Sequence, residues 1–135
     1  MIIGTAIISC TNDDEKGNSN HCDFKAIVSA DQYKNASSDL LSVSSLEISS
    51  HCLKINISAS GCDGNSWEVK LIDSEQIMES NPAQRNLRVT LKNDEVCTAY
   101  VGKTFTFDIS ELQIQDNDRV YLNIINSDEQ ILYEY

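Results

Sequence analysis

From Asp23 onward, apolar and polar residues alternate in short runs, and this period of two constrains the fold more than any other feature. Leu53, Ile55, Ile57 and Ala59 alternate with Lys54, Asn56 and Ser58; Trp67, Val69 and Leu71 alternate with Glu68 and Lys70. Leu87, Val89 and Leu91 flank Arg88 and Thr90, Phe105, Phe107 and Ile109 flank Thr106 and Asp108, and Val120, Leu122 and Ile124 flank Tyr121 and Asn123. Successive side chains on a strand point to opposite faces, so each run predicts a strand with one face in a core and the other in water. Leu46 and Ile48 predict a shorter strand, Ile131 to Tyr135 a last one, and Phe24 to Val28 an opening one. Asn, Asp and Gly cluster between the runs, at Cys62 to Ser66, Lys92 to Glu95, Asp116 to Asp118 and Asn126 to Asp128, as tight turns require. Helical pattern is scarce: Asp31 to Asn35 and Ser74 to Glu79 each suit about one turn, and the single proline, Pro82, follows the second. Seven to eight short strands joined by turns predict an all-β domain, an antiparallel β-sandwich that is immunoglobulin-like in general architecture.

A core built from 135 residues is small, and cross-links would help to hold it. Five cysteines are present: Cys10, Cys22, Cys52, Cys62 and Cys97. With Cys10 set aside, four remain, which suits two disulfides in an oxidising compartment and allows three connectivities. If the strand from Cys52 to Ser60 pairs antiparallel with one from Val96 to Asp108, as neighbouring strands do in immunoglobulin-like sandwiches, Cys62 meets Cys97. Cys22 is then left for Cys52. Zinc is the competing reading, because His21 precedes Cys22 and His51 precedes Cys52. Adjacent strand residues point apart, however, so neither pair easily aims both members at one ion, and no metal or cofactor is expected.

The segment MIIGTAIIS, residues 1–9, is apolar but too short to cross a bilayer, and reads as the end of a signal peptide. Ile7-Ile8-Ser9-Cys10 resembles a bacterial lipobox, in which the cysteine receives the lipid. Ile8 departs from the usual small residue there, and the missing basic region is expected further upstream. The acidic run Asp13-Asp14-Glu15 resembles the surface-export signal of Bacteroidota lipoproteins; its plainer reading is a solvated tether, continued by Gly17-Asn18-Ser19-Asn20. The expected organisation is a residual signal segment over 1–9, a lipidated Cys10 and acidic tether over 10–21, and a β domain over 22–135. The alternative for the first stretch is a short frayed strand.

Chemistry is sparse. Ten Lys and Arg against 21 Asp and Glu give a net charge of -11, which repels nucleic-acid phosphates. Gly64-Asn65-Ser66 lacks the second glycine and the strand-to-helix setting of a nucleophile elbow, and no carboxylate pair lies in an apolar neighbourhood. Asp63-Gly64-Asn65 and Asp116-Asn117-Asp118 offer oxygens to calcium but read more simply as turns. Trp67, the sole tryptophan, is expected in the core, with a sugar-stacking platform as the alternative. Gln84-Arg85-Asn86-Leu87-Arg88 is the densest polar feature: its arginines would grip an anion or pair with local carboxylates. The binding loops to examine are therefore Asp63 and Asn65 on one side, and Gln84, Arg85 and Arg88 on the other.

Cys52-Leu53, Ser60-Gly61-Cys62-Asp63-Gly64, Ser66 to Asp73, Gln84 to Arg88, Leu91-Lys92-Asn93, Glu95-Val96-Cys97 and Phe107-Asp108-Ile109 together resemble a group of small uncharacterised flavobacterial lipoproteins. That resemblance covers roughly residues 22–135 and implies a secreted, lipid-anchored β domain, with no activity attached. The expectation is a non-catalytic module at the bacterial outer membrane, facing the periplasm or the exterior. Its partners would be the lipid bilayer, through the acyl anchor, and an extracellular protein or glycan. Second to it stands a glycan-binding accessory protein or enzyme inhibitor, and a hydrolase is third.

Overall fold

A computed structural model describes residues 22–135. Among the described residues, nine strands form two sheets. β3 (Ser42–Ser49), β4 (Cys52–Gly61) and β7 (Ala99–Asp108) make the first, with the two-residue β1 (Phe24–Lys25) at its edge, in the order β1-β7-β4-β3. The second contains β2 (Ile27–Val28), β5 (Glu68–Met78), β6 (Gln84–Lys92), β8 (Arg119–Ile124) and β9 (Glu129–Glu134), in the order β2-β5-β6-β8-β9. The alternation places Leu53, Ile55, Ile57, Phe105 and Phe107 of the first sheet in one hydrophobic cluster with Leu71, Leu87, Val89, Leu122, Ile124 and Tyr133 of the second. This shared burial is the main favourable term for the domain.

The sheets are mixed, which corrects the expectation of wholly antiparallel pairing. β1 with β7, β2 with β5, and β6 with β8 run parallel. β6 and β8 are parallel because the chain leaves the second sheet, crosses the first as β7, and returns in its original direction. Phe24 to Val28 is also divided: one half joins each sheet, and buried Ala26 bridges them, donating its N–H to the Asp108 carbonyl at 3.0 Å.

Two expected helical turns have different fates. Ala30–Asn35 forms α1, with the Ser29 hydroxyl accepting from the Gln32 N–H at 3.1 Å as its N-cap. Ser74 to Met78 stays in β5 as an irregular strand instead, and Glu79 lies just beyond it. There Glu75 adopts a φ of 67°, and its carboxylate accepts the first helical N–H, from Ala30, at 2.7 Å. The gain of a capping contact at the helix start accompanies this left-handed residue, a link no local pattern encodes.

Both ends of β4 are cross-linked. Cys22 is joined to Cys52 and Cys62 to Cys97, while the antiparallel register of β4 with β7 brings Gly61 opposite Ala99. β7 starts at Ala99, later than Val96, which is 91% exposed outside the strand. Cys10, the lipobox and the acidic run lie outside the described residues. We expect non-reducing peptide mapping to recover the Cys22–Cys52 and Cys62–Cys97 peptides. A Cys62→Ala/Cys97→Ala variant should lose about 2–4 kcal/mol in denaturant unfolding; an unchanged midpoint would contradict this.

Candidate functional site

The two groups of binding residues suggested by the sequence lie at opposite ends of the β5–β6 hairpin, where Glu68 faces Lys92 at one end and Met78 faces Gln84 at the other. They do not form one site. Each has a structural assignment of its own.

At the first end, the Asp63 carboxylate accepts both the backbone and side-chain N–H groups of Asn65, at 2.9 and 3.0 Å, and Asn65 accepts from the Lys103 ammonium at 2.8 Å. The turn is fixed from inside by Glu95. Its carboxylate accepts from the Ser66 hydroxyl at 2.7 Å and from the backbone N–H groups of Cys62, Gly64 and Ser66 at 2.7, 2.9 and 3.2 Å. The Ser66 hydroxyl bond, helped by those three N–H groups against some desolvation, lowers the Glu95 pKa to about 2. Gly61 is required here: a Cβ on it would come within 2.6 Å of the Glu95 carboxylate and 3.3 Å of the Trp67 ring. Trp67 itself is buried in the core, so it offers no stacking platform.

At the second end, Gln84, Arg85 and Arg88 lie within β6 and not in a loop, and the expected pairing of an arginine with a local carboxylate is found at Arg85. Arg85 falls on the inward face of its strand. There its guanidinium donates to Asp73 at 2.9 Å and to the Leu112 carbonyl at 2.9 Å, with side-chain exposures of 10% for Arg85 and 0% for Asp73. Burial raises the Asp73 pKa, while the Glu75 N–H and Arg85 pull it back. Its other carboxylate oxygen is buried and without a hydrogen-bond partner. Arg88 points outward beneath α1 and donates to the Tyr33 carbonyl at 3.1 Å. Gln84 joins an amide ladder, accepting from Asn123, which also donates to Asn86 and accepts from Gln130.

A third polar cluster sits below the turn between β3 and β4. Buried Tyr133 accepts from the Gln113 amide at 3.0 Å, and its hydroxyl lies 2.6 Å from His51 Nδ1. Burial raises the Tyr133 pKa, which keeps it a neutral phenol and a structural peg. Among the described residues, no group of three or more His, Cys, Asp or Glu could hold a metal ion.

One concavity was not visible in the sequence. It is a cleft of about 420 Å³ on the outward face of the second sheet, bounded by the end of α1 and residues 36–39. Its floor is Glu68 and Lys70 of β5 and Thr90, Leu91 and Lys92 of β6. Period two marks most of these as outward-facing; only the fold shows that a strap crosses them. The strap is bound firmly. β8 pairs with β6 only as far as Leu87, leaving the rest of that edge of β6 open. The Ser38 hydroxyl accepts the Leu91 N–H at 3.0 Å, the Asp39 N–H donates to the Leu91 carbonyl at 2.8 Å, and the Asn93 N–H donates to the Asp39 carboxylate at 2.7 Å. The Asn126 amide does the same for Val89, accepting from its N–H and donating to its carbonyl.

Two outcomes test these assignments. Arg85→Ala strands a buried carboxylate and should cost about 3–5 kcal/mol in urea unfolding, whereas Asp73→Leu/Arg85→Met should cost markedly less. For Glu95, the ionised form is the one the fold binds, so its stabilisation is fully present above the ordinary value of 4.5 and is lost as pH falls toward about 2. Glu95→Gln should therefore flatten the acid dependence of stability across that window; an identical slope in the variant would refute the role.

Comparison with known proteins places the chain by fold alone. No family model matches it, and no curated protein does. A protein of unknown function from Bacteroides vulgatus, designated DUF1344, superimposes with a TM-score of 0.54 at 11% identity over 83% of this chain and 56% of that one. A putative toxin-related protein from Parabacteroides distasonis gives a TM-score of 0.54 at 16% identity, covering 83% of this chain and 60% of that one. The chain thus spans little more than half the length of either, and what they share with it is a mostly β, two-sheet fold.

Proposed function

We propose that this chain is an extracytoplasmic, non-catalytic binding module, held at the bacterial outer membrane by a lipid on Cys10. The observation that carries the reading is the cysteine pairing. All four described cysteines are consumed in two disulfides, which belong to an oxidising compartment. Cys10 is left as the fifth, in the lipobox-like Ile7-Ile8-Ser9-Cys10 and ahead of an acidic tether. The fold likeness to proteins of Bacteroides and Parabacteroides is consistent with that setting. Two sheets over one core, clamped at both ends of β4, make a scaffold suited to presenting a surface. The polar clusters at Glu95, Asp73–Arg85 and Tyr133 are each engaged in holding the fold, which favours binding over catalysis. Metabolic labelling with a tagged palmitate is the test: the native gene product should incorporate label and Cys10→Ser should not. Equal labelling of the variant would refute the anchor.

A further inference from the structure

We propose that the end of the sandwich opposite the Cys22–Cys52 bridge docks a protein segment that is both basic and apolar. Three stretches of chain meet at that end: residues 40–41, which lead from the strap into β3, the finish of β4, and residues 93–98, which lead from β6 into β7. Asn93 joins them. It donates its backbone N–H to the Asp39 carboxylate at 2.7 Å and its side-chain amide to the Ser60 carbonyl at 2.6 Å, and it accepts from the Glu95 N–H at 3.1 Å. The apolar side chains beside these contacts stand in water: Leu40 is 92% exposed, Val96 91%, and Tyr100, opposite Ser60, 73%. Among the described residues no other large hydrophobic side chain is as exposed. One exposed apolar residue is ordinary, but a group of them held together at one end marks a contact surface.

The charge around the group selects the partner. Glu68 and Lys92 are paired across the hairpin at 4.0 Å and offset each other. Asp39, Asp63, Asp94 and Glu95 remain against Lys103, so the loops of this end carry four carboxylates to one ammonium. The hydrogen bonds that Asp39, Asp63 and Glu95 accept leave their charge in place. Such a rim repels acidic proteins, anionic membranes and a second copy of this chain, whose net charge is -11, and it draws a basic partner. An apolar centre inside a charged rim is the anatomy of a protein contact, with Tyr100 as its aromatic anchor. The inference rests on the domain being an anchored binding module. A tether leading to Cys22 joins the domain at the start of β4, whereas Leu40, Val96 and Tyr100 stand at its finish, away from the bilayer.

Fluorescence anisotropy of the disulfide-bonded chain with three labelled amphipathic peptides is the test. The first carries leucine on one helical face and lysine on the other; the second has glutamate for lysine, and the third serine for leucine. The leucine–lysine peptide should bind, and the other two should bind at least about tenfold more weakly, because each lacks half of the match. Leu40→Asn/Val96→Asn should weaken the first peptide about tenfold with the unfolding midpoint unchanged, since neither side chain is buried. Ile77→Asn, at the other end of the β5–β6 hairpin, should leave binding intact. Equal binding of the glutamate or serine peptide, or undiminished affinity in the double variant, would overturn the proposal. So would a dimer of the chain that the double variant abolishes, because the surface would then belong to a second copy. Absence of binding would overturn it as well, and that result leaves the anchored-module reading to the separate labelling of Cys10.

Discussion

Several elements of the fold converge on the buried ion pair of Asp73 and Arg85. Asp73 accepts Arg85 and the Glu75 N–H through its carboxylate, and its backbone carbonyl accepts the N–H of Ser29, the N-cap of α1. Arg85 reaches on to the Leu112 carbonyl in the short turn after β7. One polar node therefore ties β5 to β6, sets the start of α1 and seats the turn that closes the core. Charges removed from water in this way contribute little net stability, but losing one partner is costly. The pair thus acts chiefly to specify how β5, β6, α1 and the Leu112 turn come together.

The remaining constraints act at the ends of β4. The Cys22–Cys52 bridge fastens its start and Cys62–Cys97 its finish, where Glu95 gathers three backbone N–H groups and the Ser66 hydroxyl into the same turn. The outward face of the second sheet carries further elements. There α1 and the strap create a concave surface over β5 and β6. The chain stops edge pairing on β6 with the side chains of Ser38 and Asn126, and in doing so builds a wall for the cleft.

The inward-facing strand residues could be read from the sequence because alternation is a property of each strand taken separately. Arg85 was placed in a loop despite that pattern. Its neighbours Leu87 and Val89 mark the inward face of β6, so its position already implied burial, yet charge alone suggested an exposed loop. Ser74 to Glu79 failed for another reason: Glu75 is held in its conformation by a contact with Ala30, 45 residues away. Gln84 and Asn86 likewise have partners on β8, whose parallel placement no local signal announces.

By itself, then, the sequence determined the mostly β class, the inward faces, the turn positions and a cysteine count that points to an oxidising compartment. Each follows from side-chain chemistry or from the two-residue repeat, which act over a few residues. Only the tertiary structure decided the mixed strand order, the choice of Asp73 as the partner of Arg85 and the passage of residues 36–39 over Lys70 and Thr90. Those depend on which distant segments become neighbours, a choice made by packing the whole core at once.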